Sequence, residues 1–401
     1  MKVALVCSEK LPVPPIQGGA IQLYIEGIVP FLAKKHQVTV FSIAHPKLKD
    51  QEVVNQVEYF RIPVSSKSKQ KYVALVAEEL TRRKFDLVHI FNRPKSFRTF
   101  YQASPESKFI LSLHNEMFAA NKITQEEACF CLETVDQVIT VSNFIKNTVE
   151  IKYPVAVGKV RTIYSGVNPA DFYPVWTEEA REIRDRIKRQ FGIGNGKVVL
   201  LVTRFSKKKG VHLVIEAMQE VLRQHPQTIL LVVGSKWYGS NKVDEYVAYV
   251  HRLAKELPEK QVIFTGFIPP KQVVEFYACG DVFVCASQWQ EPLARIHYEG
   301  MAAGLPIITT ARGGNPEVIE GYGNGMVIKE YKNGQEFAAA INYLLENSET
   351  ALAMGHRGRK LAEEKYHWGR VAQEIMEVYD MLNQQVEEKE TGSSEPEEQV
   401  E

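Results

Sequence analysis

Two cations follow a strongly apolar segment at a spacing suited to binding phosphate. The run Val198–Val202 predicts a buried strand, and Arg204, Lys209 and Gly210 come after it, before a segment with helical periodicity. Arginine presents a planar fork of donors and lysine a point charge, and together they suit a diphosphate. Because ligands of parallel sheets bind where strands end and helices begin, we predict a phosphate site here rather than a solvated basic loop.

A pair of glutamates follows a later apolar strand. Glu291 and Glu299 are separated by seven residues. If Pro292 lies in the first turn of a helix, both carboxylates face one side of it, where one can accept from sugar hydroxyls and the other from a ribose diol. The backbone N–H groups of Leu293 and Ala294 would then be free to bind phosphate. Taken alone, such a pair is also common on exposed helices.

Two weaker signals follow other predicted strands. His114 comes directly after an apolar run, a position that favours a structural and a functional histidine about equally. Gly266 and Ile268 flank a turn that could hold a nucleobase through its backbone or be a plain turn.

The elements that must position these residues alternate between strand and helix. Apolar runs of strand length are followed by amphipathic segments, and this pattern restarts in the second half of the chain. It predicts an α/β protein with two doubly wound parallel-sheet domains, residues 1–168 and 169–368. We expect residues 369–385 to form a helix that returns to the first domain, and residues 386–401 to be a disordered acidic tail.

Composition excludes several classes of protein. The chain has 401 residues, 45% hydrophobic and 24% charged, unlike disordered, collagenous or disulfide-stapled chains. Its five cysteines include no C-x-x-C pair, and neither a D-x-D motif nor tightly spaced histidines occur, so no metal is expected. No apolar run approaches the roughly 20 residues that cross a bilayer, and the N-terminus becomes polar too soon for a signal peptide. A cytoplasmic location is the expectation.

The net charge of +1 hides an uneven distribution along the chain. Residues 1–168 carry a basic excess, residues 169–385 are balanced, and residues 386–401 are acidic. A solvated face is the commoner explanation for such basic runs, and the alternatives are contact with an anionic acceptor, a membrane surface or nucleic acid. Much of the basic excess comes from Lys67, Lys69, Lys71, Arg82, Arg83 and Lys84.

Several of these segments together resemble the family 4 retaining glycosyltransferases. The stretch from Glu291 to Glu299, followed by Met-Ala-Ala-Gly-Leu-Pro, resembles the family's E-x7-E signature, and Arg204 with Lys209 and Gly210 resembles its R-x4-K-G diphosphate motif. Gly18–Gly19 and His114 resemble its N-terminal glycine loop and its donor-sugar histidine. The resemblance covers about residues 1–383. Within the family, the sequence of residues 292–299 and the overall length are similar to those of a spore-coat branch found in endospore-forming bacteria.

The resemblance implies the GT-B architecture, in which two Rossmann-like domains face a central cleft. It implies a donor nucleotide-sugar, a UDP-sugar in our expectation, bound by the C-terminal domain. The acceptor, a glycan, lipid-linked or protein molecule of the cell envelope or spore coat, would bind the basic N-terminal domain, with no nucleic-acid partner. The predicted catalytic residues are Arg204, Lys209, His114 and Glu291, and the predicted donor-binding residues are Gly18, Gly19, Gly266, Ile268, Leu293, Ala294 and Glu299.

Two departures from the family pattern stand beside the site. Ala294 occupies a position where the family commonly has glycine, and its N–H would still be available. Arg295 replaces an apolar residue of many relatives and adds a cation. This cation suggests a different donor or an extra contact with the acceptor.

Two other functions share this scaffold. One is a non-catalytic structural protein that assembles with spore-coat proteins, and saturable binding of a nucleoside diphosphate would count against it. The other is a nucleotide-sugar 2-epimerase, which would convert UDP-N-acetylglucosamine without any acceptor. For the transferase, the absence of a marked nucleophile predicts front-face attack without a metal, in which the positive loop stabilises the departing diphosphate.

Overall fold

The first half of the chain forms an eight-stranded sheet. The computed structural model describes residues 1–65, 68–236 and 243–392, with side chains described up to residue 384. The strand order is β3-β4-β2-β1-β5-β6-β7-β8, and every neighbouring pair is parallel except β3 with β4. The strands are β1 (Lys2–Val6), β2 (Gln37–Ile43), β3 (Gln51–Val54), β4 (Val57–Ile62), β5 (Leu87–Phe91), β6 (Lys108–Leu113), β7 (Gln137–Thr140) and β8 (Val160–Thr162).

The second half forms a six-stranded, wholly parallel sheet of order β11-β10-β9-β12-β13-β14. Its strands are β9 (Val198–Val202), β10 (Ile229–Val233), β11 (Val262–Phe264), β12 (Val282–Cys285), β13 (Ile307–Thr310) and β14 (Gly325–Ile328). The prediction of two parallel-sheet α/β domains is therefore confirmed.

Helices cover both faces of each sheet, because successive strand residues point to opposite sides. In β9, Val199 and Leu201 pack in one core and Val198 and Leu200 in another. The α-helices of the N-terminal half are α1 (Ala20–Leu32), α2 (Lys69–Arg83), α3 (Phe97–Ala103), α4 (Gln125–Thr134) and α5 (Asn143–Glu150). Those of the C-terminal half are α6 (Glu178–Phe191), α7 (Val211–Gln224), α8 (Glu245–Ala254), α9 (Pro270–Tyr277), α10 (Ile296–Ala302), α11 (Gly334–Glu346), α12 (Ser348–Glu364) and α13 (Trp368–Gly392).

The last helix, α13, packs against α1 of the N-terminal half. Val371, Ile375 and Tyr379 are fully buried there in the same core as residues of β1. At Gly27 of α1, an added Cβ would lie 2.3 Å from the Trp368 ring, so only glycine allows this close approach. The chain thus crosses between the two halves twice, once after β8 and once before α13.

The predicted disordered tail is wrong in its first part. α13 continues to Gly392, so residues 386–392 are helical. Their sequence, Val-Glu-Glu-Lys-Glu-Thr-Gly, is rich in good helix formers and simply extends a helix that tertiary packing has already nucleated. Residues 393–401, the rest of the predicted tail, lie outside the described residues.

Three strands, β3, β8 and β14, were not predicted, because runs of three or four residues are too short to show a clear periodicity. β3 is mostly exposed and pairs only with β4 at one edge of the first sheet. β8 and β14 end the two sheets on the other side, where one partner strand is sufficient. Over the described ranges, no helix combines the length and apolarity needed to cross a membrane.

Candidate active site in the interdomain cleft

A large cleft lies between the two halves, at the carboxyl ends of the central strands. Its volume is about 1720 Å³, and residues of both sheets and of the segment that joins them line it. Nearly all the predicted site residues lie on its walls: Gly18, Gly19, His114, Arg204, Lys209, Ile268, Glu291, Leu293, Ala294 and Glu299. Gly266 does not line the cleft. It forms an isolated β-bridge with Gly234, and Gly234 does line the cleft.

Lys209 and Glu291 form an ion pair on the C-terminal wall. Lys209 Nζ lies 2.6 Å from Glu291 Oε2, and the side chains are 19% and 9% exposed. The same carboxylate oxygen accepts from Ser287 Oγ at 2.6 Å and from Trp289 Nε1 at 2.7 Å. Burial alone would raise the pKa of the Glu291 carboxyl, but the charge and hydrogen bond of Lys209 and the other two bonds outweigh burial and lower it. Glu291 is therefore held ionised.

All three donors to Glu291 bond the same oxygen. Among the described residues, no hydrogen bond uses Oε1. A ligand hydroxyl can therefore be accepted by Oε1 without displacing Lys209. The sequence does not reveal the Lys209–Glu291 pair, because the two residues lie 82 positions apart along the chain.

The loop after β9 presents the two predicted phosphate-binding cations. Arg204 is exposed on the cleft wall, and Lys209 ends a short 3-10 turn immediately before α7. Gly210, with φ of 69°, forms the left-handed junction, and a Cβ there would lie 2.0 Å from the Ala286 carbonyl oxygen. Glycine is therefore required where this loop passes the end of β12.

The helix that carries Glu299 begins later than the sequence indicated. α10 starts at Ile296, so Pro292 lies outside its first turn. The N–H of Ala294 donates to Asn315 Oδ1 at 3.1 Å, which corrects the prediction that this group is free for phosphate. The side-chain oxygen of Asn315 therefore already occupies this donor. No described residue accepts from the N–H of Leu293, which lines the cleft.

Glu299 and Arg295 lie together beside the segment that joins the two halves. Glu299 Oε2 accepts from the Tyr277 hydroxyl at 2.7 Å, and its Oε1 lies 3.7 Å from Arg295 Nη2. Arg295 Nη1 donates to the Gly166 carbonyl at 3.0 Å, and its guanidinium lies 5.1 Å from the centre of the Trp368 ring. Arg295 thus joins the E-x7-E segment to the interdomain connection, contacts that no sequence pattern indicated.

His114 is a neutral imidazole on the opposite wall. Its ring packs edge-on against Tyr24, with centroids 4.7 Å apart, and its backbone N–H donates to Asn92 Oδ1 at 2.9 Å. Burial, reinforced by the charge of Arg295, lowers the pKa of His114 to about 3. Its Nε2 is buried without a hydrogen-bond partner among the described residues. A ligand in the cleft could supply that partner.

The glycine loop before α1 lies on the same wall as His114. Gly18 and Gly19 have φ of 90° and 110°, in the left-handed region. A Cβ on Gly19 would lie 2.3 Å from Oε1 of Gln22, whose amide donates to the Leu11 carbonyl. These glycines therefore keep the backbone close to the cleft without a side chain that would narrow it.

A carboxylate from the second half caps a helix of the first half. Glu317 accepts from the N–H groups of Asn143 and Phe144, at 2.8 and 2.7 Å, and from the Tyr164 hydroxyl. It lies in the Gly313-Gly314-Asn315-Pro316-Glu317 turn. This contact fixes one wall of the cleft against the other. Across the residues the structure describes, no group of three or more His, Cys, Asp or Glu side chains is arranged to hold a metal.

The two facing Rossmann-like halves and their common cleft define a GT-B glycosyltransferase fold. The family model described as glycosyl transferases group 1 matches residues 183–361, and the glycosyltransferase family 4 model matches residues 21–171. The chain belongs to this family of glycosyltransferases.

Relatives span nearly the whole chain. Spore coat protein SA of Bacillus subtilis (strain 168) is 44% identical over 380 residues, covering 95% of this chain and 99% of that protein, which confirms the similarity to the spore-coat branch. YtcC of the same organism is 41% identical over 383 residues, covering 95% and 92%. Among solved structures, Anabaena Alr3699/HepE in complex with UDP-glucose superimposes with a TM-score of 0.75 at 21% identity, covering 95% of this chain and 100% of that one.

Proposed function

We propose that this glycosyltransferase moves a sugar from a UDP-sugar to an acceptor in the cleft, with retention of the anomeric configuration. The observation that carries the proposal is the Glu291 carboxylate, which is ionised and fixed by three donors on one oxygen while the other oxygen is open to a hydroxyl. The complexes of the similar HepE structure with UDP and with UDP-glucose support a uridine donor.

In this proposal the C-terminal wall binds the donor. Arg204 and Lys209 contact the diphosphate, Glu299 accepts from the ribose and Glu291 Oε1 accepts from the sugar. Lys209 has two protons beyond the one shared with Glu291, so it can serve the carboxylate and the phosphate together. The free Nε2 of His114, across the cleft, accepts from or donates to the transferred sugar according to its tautomer.

The chemical step we propose takes place on one face of the sugar. The bond between the anomeric carbon and the diphosphate oxygen breaks, and the acceptor oxygen bonds to the same face of that carbon. The acceptor's proton passes to the departing phosphate oxygen. Arg204 and Lys209 stabilise the negative charge that develops on the diphosphate, a contribution worth on the order of a hundredfold in rate for each well-placed contact.

One time course tests the proposal. The protein is incubated with UDP-glucose, UDP-galactose or UDP-N-acetylglucosamine and a panel of acceptors, with and without EDTA, and the anomeric proton of the product is followed by NMR. We expect an α-configured product from the α-configured donor and an unchanged rate in EDTA. A β-configured product, or activity lost to EDTA and restored by Mg²⁺ or Mn²⁺, would overturn the mechanism.

A non-catalytic structural role is the second candidate, and the similarity to a spore coat protein favours it. A structural protein has no physical need for a donor site, so UDP should leave its thermal unfolding temperature unchanged. A glycosyltransferase bound only in its native state by UDP should unfold at higher temperature as UDP is raised. Conversion of UDP-N-acetylglucosamine without an acceptor would instead indicate an epimerase.

A further inference from the structure

The N-terminal wall of the cleft carries a row of cations at the ends of neighbouring strands. Lys10, Lys47, Arg93 and Lys122 all line the cleft, and they follow β1, β2, β5 and β6 respectively. These four strands are adjacent in the sheet, in the order β2-β1-β5-β6. The parallel arrangement therefore brings four positive charges, widely separated along the chain, to the same edge.

Arg93 is the oriented member of this row. Its Nε donates to Glu9 Oε2 at 2.6 Å and its Nη1 to the Asn92 carbonyl at 2.8 Å. The Arg93 and Glu9 side chains are only 14% and 5% exposed, so the guanidinium is held in one place. No described residue accepts from its Nη2. That nitrogen remains available to a ligand in the cleft.

The position of this pair is where ligands of open parallel sheets bind. Glu9 follows β1 and Arg93 follows β5, and the strand order reverses between these two neighbours. The loops on either side of such a reversal diverge and leave a crevice at the carboxyl edge. The pair therefore lies in the crevice of the first domain, opposite the proposed donor site.

Little negative charge balances the row. Among the described residues of the first half that line the cleft, Glu26 is the one carboxylate, and Asp171 of the joining segment lies near it. Glu9 is already paired with Arg93. Cations donate hydrogen bonds and cannot accept them, whereas the C-terminal wall offers carboxylates for hydroxyls. The two walls are thus suited to different groups, the N-terminal one to an anion.

The basic cluster that the sequence marked is a poorer candidate. Arg82 and Arg83 are bonded to Glu79 and Glu58 on the surface of α2, so much of their charge is already compensated. Lys67, of the same cluster, lies outside the described residues. The described residues of that cluster, Lys69, Lys71, Arg82, Arg83 and Lys84, do not line the cleft.

We propose that the acceptor carries a phosphate group, which binds Arg93 together with Lys10 and Lys122 on the N-terminal wall. This inference rests on the proposed function, because a transferase needs its acceptor opposite the donor in the same cleft. A guanidinium fork with flanking ammonium groups suits a dianionic phosphate, which accepts several charge-assisted hydrogen bonds at once.

Binding of two phosphate-bearing probes tests the proposal without requiring turnover. With UDP at a saturating concentration, the full chain is titrated with glucose 6-phosphate, and separately with phosphatidylcholine vesicles that contain phosphatidic acid. Glucose and pure phosphatidylcholine vesicles are the neutral references. We expect binding of at least one phosphate-bearing probe and not of its neutral reference, and weaker binding as salt is raised. Glucose 6-phosphate alone would indicate a water-soluble acceptor, and vesicles alone a lipid-linked one.

Matched variants locate the binding. Lys10→Gln with Lys122→Gln should weaken it about tenfold, and Arg93→Lys, which keeps the charge but loses the fork, should also weaken it. Lys34→Gln with Lys35→Gln removes the same charge after α1, on exposed positions away from the cleft, and should change nothing. Failure of both phosphate probes to bind, or binding within twofold of the parent in the Lys10 and Lys122 variant, would overturn the proposal.

UDP binding in the same variants separates this inference from the proposed donor. If phosphate binding depends on Lys10 and Lys122 but UDP does not bind at all, the proposed donor is wrong and the anion site stands. If UDP binds normally to every variant while neither phosphate probe binds the parent, the donor site stands and the acceptor assignment is wrong.

Discussion

At the scale of single residues, Glu291 and Glu299 differ in the hydrogen-bond donors that their carboxylates already bind. Glu291 is fixed by Lys209 and two neutral donors, all on one oxygen, whereas Glu299 is held by the Tyr277 hydroxyl. Both carboxylates lie on the same wall, but only Glu291 is bonded to a lysine of the proposed diphosphate loop. Their substitution should therefore have separable effects.

We expect Glu299→Gln to lose affinity for UDP itself, by about tenfold or more, because a charged acceptor of the ribose is removed. Glu291→Gln should leave UDP affinity within about threefold but slow transfer, since the amide can still accept from Lys209 while the charge facing the sugar is gone. Calorimetric titration with UDP and the initial rate of transfer measure the two effects. The exposed Glu320→Gln is the control, and equal loss of UDP affinity in both glutamate variants would contradict the assignment.

His114 should remain neutral throughout the working pH range. Burial and the charge of Arg295 lower its pKa to about 3, so the imidazole gains a proton only in strong acid. Histidine carbon shifts, assigned with His114→Asn, should show no titration of His114 between pH 5 and 8. Arg295→Met should raise this pKa because a neighbouring positive charge is removed. A midpoint near the ordinary histidine value of about 6.5 in the parent protein would contradict the burial argument.

At the scale of elements, the loop between β9 and α7 depends on one glycine. Gly210 has φ of 69°, and a Cβ would lie 2.0 Å from the Ala286 carbonyl oxygen. Gly192, after α6, has nearly the same φ of 66° but open space around it. An alanine would therefore be strained by the positive φ at both positions, but its Cβ would collide with a neighbouring atom only at Gly210.

We expect Gly192→Ala to cost about 1 kcal/mol of unfolding free energy, the strain of a left-handed alanine. Gly210→Ala should cost clearly more and should also weaken UDP binding, because the loop must move and carries Lys209 away from Glu291. Urea unfolding and UDP titration of both variants test this. Similar unfolding free energies for the two alanine variants would contradict this, because they would show that the loop relieves the collision at no cost in stability.

At the scale of the whole molecule, two contacts connect the two halves of the chain and so position the walls of the cleft. Glu317 caps α5 from the other half of the chain, and α13 packs on α1. The buried face of α13 belongs to the core of the first sheet, although its sequence follows the second. Stability of the first half therefore depends on the end of the chain.

Ile375→Ala should lower the unfolding free energy by about 2–5 kcal/mol, because Ile375 is fully buried between α13 and the first sheet. Met381→Ala, on the same helix but 39% exposed, should change it by less than about 0.5 kcal/mol. Urea unfolding monitored by circular dichroism compares them. A small effect of Ile375→Ala would mean that α13 is not part of the cooperative unit.

The sequence by itself determined the strand and helix alternation, and hence two parallel sheets, because hydrophobic periodicity is a local property of the chain. It also indicated which residues follow the strands: Arg204, Lys209, His114, Glu291 and Glu299 all lie on the cleft. A parallel sheet places every strand's carboxyl end at one edge, so a motif that follows a strand is directed there whatever the order of the strands.

Only the tertiary structure decided which of these residues meet. The Lys209–Glu291 and Arg93–Glu9 pairs each join segments more than eighty positions apart, and the bonds of Arg295 to the interdomain connection span a greater distance still. These contacts depend on which strands become neighbours and on how side chains from different loops share the space above them. No local spacing encodes either quantity, because neighbouring strands are selected by the packing of the whole sheet and its helices.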